Sequence, residues 1–306
     1  MELIKKVKSE SVFLGYLFVM ISTGIWSGNF IIARSLNQMI TPVSLAFWRW
    51  FVAVIAILPF SFKALLLERE IIKKNLAYLS MTGLLGITLF NTLIYYAGQT
   101  TTAINLSLIS ITFPVFIIIL SNLFYHEKVN QCKVIGIILV VAGVILLITK
   151  GDFSKLYGLN FAIGDIWMLV AAFTFALYSI LLKRRPKNLS LWAFQSSLFI
   201  LGFIFLLPFF ILECIFHPIF EIHSGIVFSI LYVGIFASLI AFILWNKAIE
   251  AIGPSKAGMV YYTMPLFSGL WSYFLLKENI SPIHLYSVLL IISGILLSNY
   301  EAKGKK

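Results

Sequence analysis

The sequence predicts an all-α membrane protein whose ten transmembrane helices form two inverted five-helix repeats. Three observations lead to this fold class: the scarcity of charged residues, the number of long apolar stretches, and a set of residues that recurs at a fixed spacing. Together they leave no long polar segment in which a separate soluble domain would fold.

The composition is too apolar for a protein that faces water. Of the 306 residues, 60% are hydrophobic and 11% are charged, and the mean hydropathy is +0.99. Soluble domains are roughly half apolar and about a quarter charged. This difference excludes a soluble enzyme and a disordered chain. Two cysteines, Cys132 and Cys214, are too few for a secreted disulfide scaffold.

The number of long apolar stretches gives the number of predicted helices. A helix needs about 20 apolar residues to cross the hydrocarbon core of a bilayer. Such stretches lie at about 12–33, 43–62, 76–96, 101–124, 131–149, 162–182, 190–212, 225–246, 255–275 and 282–299. Proline-containing turns separate several of them, including Thr41-Pro42, Arg185-Pro186 and Gly253-Pro254. We therefore expect ten spans.

The basic residues set the predicted orientation. With a cytoplasmic N-terminus, 18 of the 23 lysines and arginines lie in cytoplasmic segments, four lie outside, and Arg49 lies within a span. Cytoplasmic loops of membrane proteins carry this excess of positive charge. We therefore expect a multi-pass protein with both termini in the cytoplasm. The net charge of +11 indicates contact with anionic lipid, and nucleic acid is not an expected partner.

The chain repeats itself at a spacing of 151 residues. The recurring residues pair as Ala97 with Ala248, Pro114 with Pro265, Phe116 with Phe267, Glu127 with Glu278, and Gly143 with Gly294. This predicts one five-helix repeat in residues 1–150 and a second in residues 151–306. Because five is odd, the second repeat starts on the opposite face and is inverted. Secondary transporters are commonly built this way, with the solute site between the repeats.

Several short motifs lie in or beside the predicted spans. They are Ile25-Trp26-Ser27-Gly28-Asn29-Phe30, Arg49, the Pro114…Glu127 block, Gly164-Asp165, Tyr178 and the Pro265…Glu278 block. With these motifs the chain resembles the EamA-type branch of the drug/metabolite transporter superfamily. The resemblance implies ten helices in the plasma (inner) membrane and the export of small metabolites. It also implies a central cavity built by the first, third, fourth, sixth, eighth and ninth spans. The chain departs from the pattern at Gln195, which stands where Arg49 has its counterpart, and at Phe175-Ala176, which replace a second tryptophan.

Enzyme chemistry finds little support in the sequence. The two aspartates, Asp152 and Asp165, lie near the outer face, and no metal-ligand or nucleophile motif is present. We expect neither a cofactor nor a metal. The predicted spans also lack a carboxylate near the membrane midplane, which proton-coupled carriers usually keep. Facilitated diffusion or exchange is therefore at least as well supported as proton coupling.

Arg49 is the one cation well inside a predicted span. A charge at that depth is costly unless the side chain reaches the headgroups or faces a polar cavity. Two interpretations stay open. Arg49 either extends to the outer headgroups, or it pins a neighbouring helix through backbone carbonyls or meets an anionic group of a solute.

Pro114 and Pro265 interrupt the fourth and ninth spans at matched positions. A proline inside a helix removes one backbone hydrogen bond and produces a kink. The matched placement predicts a pair of hinges beside the solute site, and a purely structural kink is the alternative.

Aromatic and polar side chains inside the spans are the candidate solute-binding residues. They are Trp26, Asn29, Arg49, Tyr95, Asn105, Ser110, Tyr178, Trp245, Tyr261 and Tyr262. Ring faces combined with a few hydrogen-bonding groups suit a small organic molecule such as an amino acid. For Tyr95 and Trp245, which lie near span ends, an interfacial aromatic belt is the alternative.

These observations predict a secondary transporter, expected to be an exporter, of small polar or amphipathic organic metabolites that works by alternating access. A second hypothesis is a non-transporting receptor or scaffold on the same helix bundle, with a filled apolar midplane. An intramembrane enzyme is a third and weaker one. The expected partners are a small-molecule solute and the lipid bilayer. Close-packing glycines such as Gly24 and Gly28 are compatible with a monomer or a homodimer.

Overall fold

In the computed structural model, the described residues are 2–36, 39–101, 103–157, 162–216, 221, 223–276 and 282–299. Within these ranges the chain is helical, with short turns between helices and no strand. Large apolar side chains such as Phe13, Phe60, Ile138 and Leu289 lie exposed on the outside of the bundle. A contiguous apolar exterior of this kind is what a protein presents to lipid.

The helices are numbered here in chain order. Their bounds are α1 (Glu2–Leu36), α2 (Pro42–Leu67), α3 (Leu76–Thr100), α4 (103–125), α5 (Gln131–Thr149), α6 (Ile163–Leu182), α7 (Leu191–Phe216), α8 (Ser224–Ile252), α9 (254–276) and α10 (Pro282–Ser298). A short helix, Arg69–Lys74, links α2 to α3, and a single 3₁₀ turn, Phe153–Leu156, follows α5. Among the described residues, seven helices (α1, α2, α3, α5, α6, α7 and α8) are long and apolar enough to cross a membrane.

Helices α4 and α9 are each broken into two pieces rather than continuous. The pieces are Ala103–Ser110 and Thr112–Tyr125 in α4, and Pro254–Tyr261 and Met264–Leu276 in α9. Each break lies within three residues of the proline that follows it, Pro114 or Pro265. Proline withholds a backbone N–H and displaces the carbonyl four residues earlier, which accounts for the breaks.

The two broken helices cross at their breaks. The hydroxyl of Tyr262 donates a hydrogen bond to the backbone oxygen of Ile111 at 2.9 Å. These two residues are separated by 151 positions, the spacing at which the sequence repeats. Equivalent points of the two halves therefore meet, in a small apolar cluster that also contains Val140 of α5 and Ile291 of α10.

Helices α5 and α10 pack closely through small residues. A Cβ atom at Gly136 would lie 2.5 Å from the backbone oxygen of Gly294, and one at Gly143 would lie 3.0 Å from that of Ser287. In the repeat, Gly136 corresponds to Ser287 and Gly143 to Gly294. Gly136 thus contacts the counterpart of Gly143, and Gly143 contacts the counterpart of Gly136. A two-fold axis between the helices produces this reciprocal pattern. The helices run antiparallel.

Helices α2 and α7 cap each other at opposite ends. Near the end of α7, Glu213 accepts hydrogen bonds from the hydroxyl of Thr41 at 2.5 Å and the backbone N–H of Ser44 at 2.7 Å. Just beyond α2, Glu68 accepts one from the N–H of Ser190, which precedes α7, at 2.7 Å. A carboxylate at a helix N-terminus satisfies free N–H groups and complements the helix dipole. This second antiparallel pair has the same reciprocal pattern.

Contacts between the connections divide them into two faces. We call the face at which α1 begins the near face and the opposite one the far face. On the near face, Lys183 pairs with Glu127 and Arg185 with Glu250, each at 2.9 Å. On the far face, Asp165 accepts hydrogen bonds from the amide of Asn105 at 3.0 and 3.1 Å. In each case the contact joins connections that the distribution of basic residues assigns to the same face.

Helices α3 and α8 each contain a π-helical segment, which the sequence pattern does not predict. The segments are Leu84–Leu89 and Tyr232–Ile240, and they include Gly86 and Gly234. A Cβ atom at Gly86 would lie 2.3 Å from the ring of Tyr178, so only glycine admits that ring. Single π turns are common at functional sites because they redirect side chains within a helix.

Candidate functional site

Seven aromatic side chains fill the centre of the bundle. They come from α1, α3, α4, α6, α8 and α9 and are Trp26, Phe90, Phe113, Phe175, Phe242, Trp245 and Tyr261, here called the aromatic cluster. Trp26 lies 5.7 Å from Phe175 and 5.5 Å from Trp245 between ring centroids. These are favourable distances for offset and edge-to-face ring pairs. The six helices that the resemblance implies do converge, but on packed rings where a cavity was expected.

A polar cluster lies beside the rings, toward the far face. Arg49 is fully buried, and its guanidinium donates to the hydroxyl of Ser238 at 2.5 Å, the hydroxyl of Tyr95 at 2.9 Å and the amide oxygen of Asn29 at 3.4 Å. It also donates to the backbone oxygen of Ala237 at 3.0 Å. That oxygen lies in the π-helical segment of α8. These residues form the Arg49 cluster, which joins α1, α2, α3 and α8.

A second polar cluster lies on the near-face side of the rings. The hydroxyl of Tyr178 donates to the amide oxygen of Asn246 at 2.8 Å, and the amide nitrogen of Asn246 donates to Gln195. Trp245, adjacent to Asn246, donates through its indole N–H to Ser179 at 3.2 Å. The side-chain nitrogen of Gln195 is buried and has no partner. Tyr178, Gln195 and Asn246 form the Gln195 cluster.

The two polar clusters are equivalent under the repeat. Asn29 corresponds to Tyr178 at a spacing of 149 residues, and Tyr95 to Asn246 at 151. The third position is on the second helix of each half, Arg49 in α2 and Gln195 in α7. Arg49 bonds to both of its partners directly, whereas in the second half Asn246 bonds to both Tyr178 and Gln195. Each half therefore joins its first three helices through polar side chains, once on each side of the rings, and the Arg49 cluster also reaches α8.

A cleft of about 260 Å³ opens between α6, α7 and α8 on the near face. Its lining consists of Leu182, Lys183, Arg185, Lys187, Phe194, Asn246 and Glu250. Asn246 belongs to the Gln195 cluster, so the cleft leads from the near face to that cluster. On the far face, Asp165 is buried and bound by Thr101, Asn105 and the backbone N–H of Ala162.

Comparison with known proteins identifies the family. The sequence profile of the EamA-like transporter family matches residues 13–149 and 162–300, one segment in each half. The chain belongs to the EamA-like transporter family. It is therefore a multi-pass membrane protein that carries a small-molecule solute.

Relatives of this EamA-like transporter match over nearly their whole length. An uncharacterized transporter of Archaeoglobus fulgidus is 27% identical over 296 residues, covering 92% of this chain and 96% of the relative. The uncharacterized transporter YyaM of Bacillus subtilis is 24% identical over 293 residues, covering 96% and 95%. A solved crystal structure with 16% identity superimposes with a TM-score of 0.73 and covers 95% of this chain and 96% of the other, which shows a common fold.

Most predicted binding residues of this transporter lie at the clusters. Trp26, Trp245 and Tyr261 belong to the aromatic cluster, Asn29, Arg49 and Tyr95 to the Arg49 cluster, and Tyr178 to the Gln195 cluster. Tyr262 lies at the crossing of α4 and α9. Asn105 lies apart from the rings, on Asp165 at the far face, and Ser110 is half-buried beside the break in α4.

Three of the alternatives considered for these residues are wrong. Arg49 does not extend to the headgroups, because its side chain is fully buried, and it does pin a backbone carbonyl of α8. Tyr95 and Trp245 are 6% and 0% exposed and do not belong to an interfacial belt. The neighbouring Tyr96, at 42% exposed, is placed as a belt residue would be.

Sequence reasoning missed several residues of the site. Phe90, Phe113, Phe242 and Ser238 carry no motif, and nothing distinguishes them from other apolar-span residues. Phe175 was noted only as a residue that replaces a second tryptophan. Gln195 was noted only as a departure from the family pattern. The repeat spacing could have located its cluster, because it relates Asn29 to Tyr178 and Tyr95 to Asn246. Glu278 lies outside the described residues. Within the described part of the chain, no three His, Cys, Asp or Glu residues group as metal ligands would.

Proposed function

We propose that this protein is a secondary transporter that exports small polar or amphipathic organic metabolites, such as amino acids, by alternating access. In this proposal, ten helices cross the plasma (inner) membrane as inverted repeats of residues 1–150 and 151–306. Both termini then lie in the cytoplasm, so that the near face is cytoplasmic. A single chain encloses the site, with a homodimer as the alternative.

The observation that carries the proposal is the equivalence of the two polar clusters on either side of one aromatic cluster. Reciprocal contacts between α2 and α7 and between α5 and α10 support an inverted arrangement of the halves. In a molecule built from inverted repeats, the halves can exchange conformations. The two resulting states are similar in energy and open to opposite faces of the membrane. Exchange of these conformations would expose the central rings first to one face and then to the other.

The described conformation fits a closed intermediate of this cycle with a cleft toward the cytoplasm. The rings fill the centre, Asp165 ties α6 to the start of α4 at the far face, and the cleft reaches the Gln195 cluster. Helices α4 and α9, broken at Pro114 and Pro265, are the proposed hinges. Because no Asp or Glu among the described residues belongs to the aromatic cluster or to either polar cluster, we propose exchange or facilitated diffusion rather than proton coupling.

A packed centre is also what the alternative function predicts. A receptor or scaffold on this bundle would keep the aromatic cluster filled at all times. The two functions differ in one respect, since only a transporter moves solute through the centre.

The experiment is counterflow of labelled amino acids, nucleosides and organic ions in proteoliposomes. We expect at least one labelled solute to accumulate in exchange for the same unlabelled solute. Tyr178→Phe, which removes only the hydroxyl on Asn246, should reduce that flux several-fold, because the Gln195 cluster loses its tie to α6. The control is Tyr157→Phe, which removes a hydroxyl from a side chain that is 93% exposed. Absence of flux across the whole panel would favour the scaffold.

A further inference from the structure

Arg49 is a buried cation whose partners are all neutral. Its acceptors are the side-chain oxygens of Asn29, Tyr95 and Ser238 and the backbone oxygen of Ala237. The ion pairs formed among the described residues do not include Arg49. A full positive charge therefore lies in the interior with no counter-ion among the residues that the structure describes, an arrangement that is costly within a membrane.

Holding the helices together does not explain this charge. At the equivalent junction of the second half, Gln195 takes the position of Arg49 and accepts a hydrogen bond from Asn246, which also accepts one from Tyr178. Neutral side chains are thus sufficient to join α6, α7 and α8. The positive charge at Arg49 is specific to one half and requires a separate reason.

The guanidinium retains capacity for an anion. It has five N–H groups, and the structure gives it four acceptors. The contact with Asn29 is long, at 3.4 Å, and leaves from the same nitrogen as the contact with Tyr95. A carboxylate binds guanidinium with two parallel hydrogen bonds. A bound carboxylate would replace the weak contact between Nη1 and Asn29, and it would also accept from the spare N–H of Nη2.

The guanidinium adjoins the aromatic cluster. The backbone oxygen of Ala237 accepts hydrogen bonds from both Arg49, at 3.0 Å, and the indole N–H of Trp26, at 2.8 Å. A carboxylate on Arg49 would therefore place the rest of a solute against the rings. Ring faces accept an aromatic or aliphatic body.

Charges along the entry route favour an anion as well. Lys183, Arg185 and Lys187 line the near-face cleft. Glu127 pairs with Lys183 and Glu250 with Arg185, which leaves the cleft a net charge of about +1 from Lys187. A positive cleft raises the local concentration of anions and repels cations. At the far end of the route, the carboxylate of Asp165 is occupied by its own donors, so it does not receive a solute ammonium group.

We infer that the transported solute is an organic anion, a carboxylate with an aromatic or apolar body and net negative charge, and that Arg49 binds its carboxylate. This inference rests on the proposed transport function and narrows its solute class to organic anions, which leaves out the neutral amino acids. Zwitterions and amines of the same shape are poor substrates, because no free carboxylate among the described residues of the route pairs with an ammonium group.

The test compares three solutes that share a phenylethyl skeleton: 3-phenylpropionate, phenylalanine and phenethylamine. Protein-dependent counterflow is measured at about pH 8, where the carboxylates are ionised, and flux into protein-free liposomes is subtracted. We expect 3-phenylpropionate to be favoured over the other two by about tenfold or more. Such a ratio corresponds to about one paired charge in the binding step.

Variants assign the preference to Arg49. Arg49→Gln should abolish the preference for the anion, Arg49→Lys should retain part of it, and Arg184→Gln, an exposed arginine outside the cleft lining, should leave it unchanged. If Arg49→Gln does not fold, the inference is tested by comparing the anion preference of the unmodified protein with that of Arg49→Lys. Preference for phenylalanine or phenethylamine, or an anion preference that survives in Arg49→Gln, would overturn the inference and leave transport intact. No flux of any solute would instead contradict the proposed function.

Discussion

Single residues determine how closely the helices approach one another around the rings. Gly86 lies in the π-helical segment of α3, and the space that its missing side chain leaves is occupied by the ring of Tyr178. That ring in turn holds Asn246 through its hydroxyl. Gly86 therefore places Tyr178 and, through it, the Gln195 cluster, although it bears no chemical group itself.

Substitution of Gly86 by alanine should destabilise the protein. The added Cβ would lie 2.3 Å from the Tyr178 ring, which must shift, and overpacking of this kind costs about 1–3 kcal/mol. The thermal midpoint in detergent, followed by loss of monodisperse protein, should fall by several degrees. Gly98→Ala is the matched control in the same helix, since nothing lies within 4 Å of its added Cβ. An unchanged midpoint in Gly86→Ala would show that Tyr178 is not held in this position.

At the scale of helices, the broken pair α4 and α9 differs from the other proline-containing helices. Pro59 and Pro208 lie inside α2 and α7, which continue through them, whereas the breaks in α4 and α9 lie just ahead of Pro114 and Pro265. The breaks touch each other through Tyr262 and Ile111. The two proposed hinges are therefore in direct contact.

Pro114→Ala should slow transport while the protein remains folded. Alanine restores the backbone N–H and favours a continuous α4, which removes the proposed hinge. We expect the turnover in counterflow to fall about tenfold, equivalent to roughly 1.4 kcal/mol in the barrier. Pro208→Ala, in an exposed position of a continuous helix, is the control and should transport nearly normally. Equal loss in both variants would indicate a general effect of proline removal rather than a hinge at Pro114.

At the scale of the whole molecule, the sequence predicted the architecture better than the interior. The positions of the helices and the repeat spacing follow from hydropathy and from matched residues. The prediction that six particular helices converge came from the family resemblance. The filled centre was an expectation of the scaffold hypothesis alone, and the rings that fill it were not predicted, because spans that are apolar on every side do not reveal which rings face inward. The π-helical segments have no composition of their own, and the burial of Tyr95 and Trp245 depends on packing that a span-end position does not show.

The central claim is that the two halves exchange conformations so that the faces open alternately. Spin labels on cysteines at Lys128 and Lys187 would report the near face, and labels at Thr100 and Ile163 the far face. All four positions are exposed and lie outside the clusters. Distance distributions between each pair are measured in lipid by electron spin resonance, without solute and with a solute that counterflow has identified. We predict two populations for each pair, with solute lengthening one distance as it shortens the other; a single unchanged distance in both pairs would contradict alternating access.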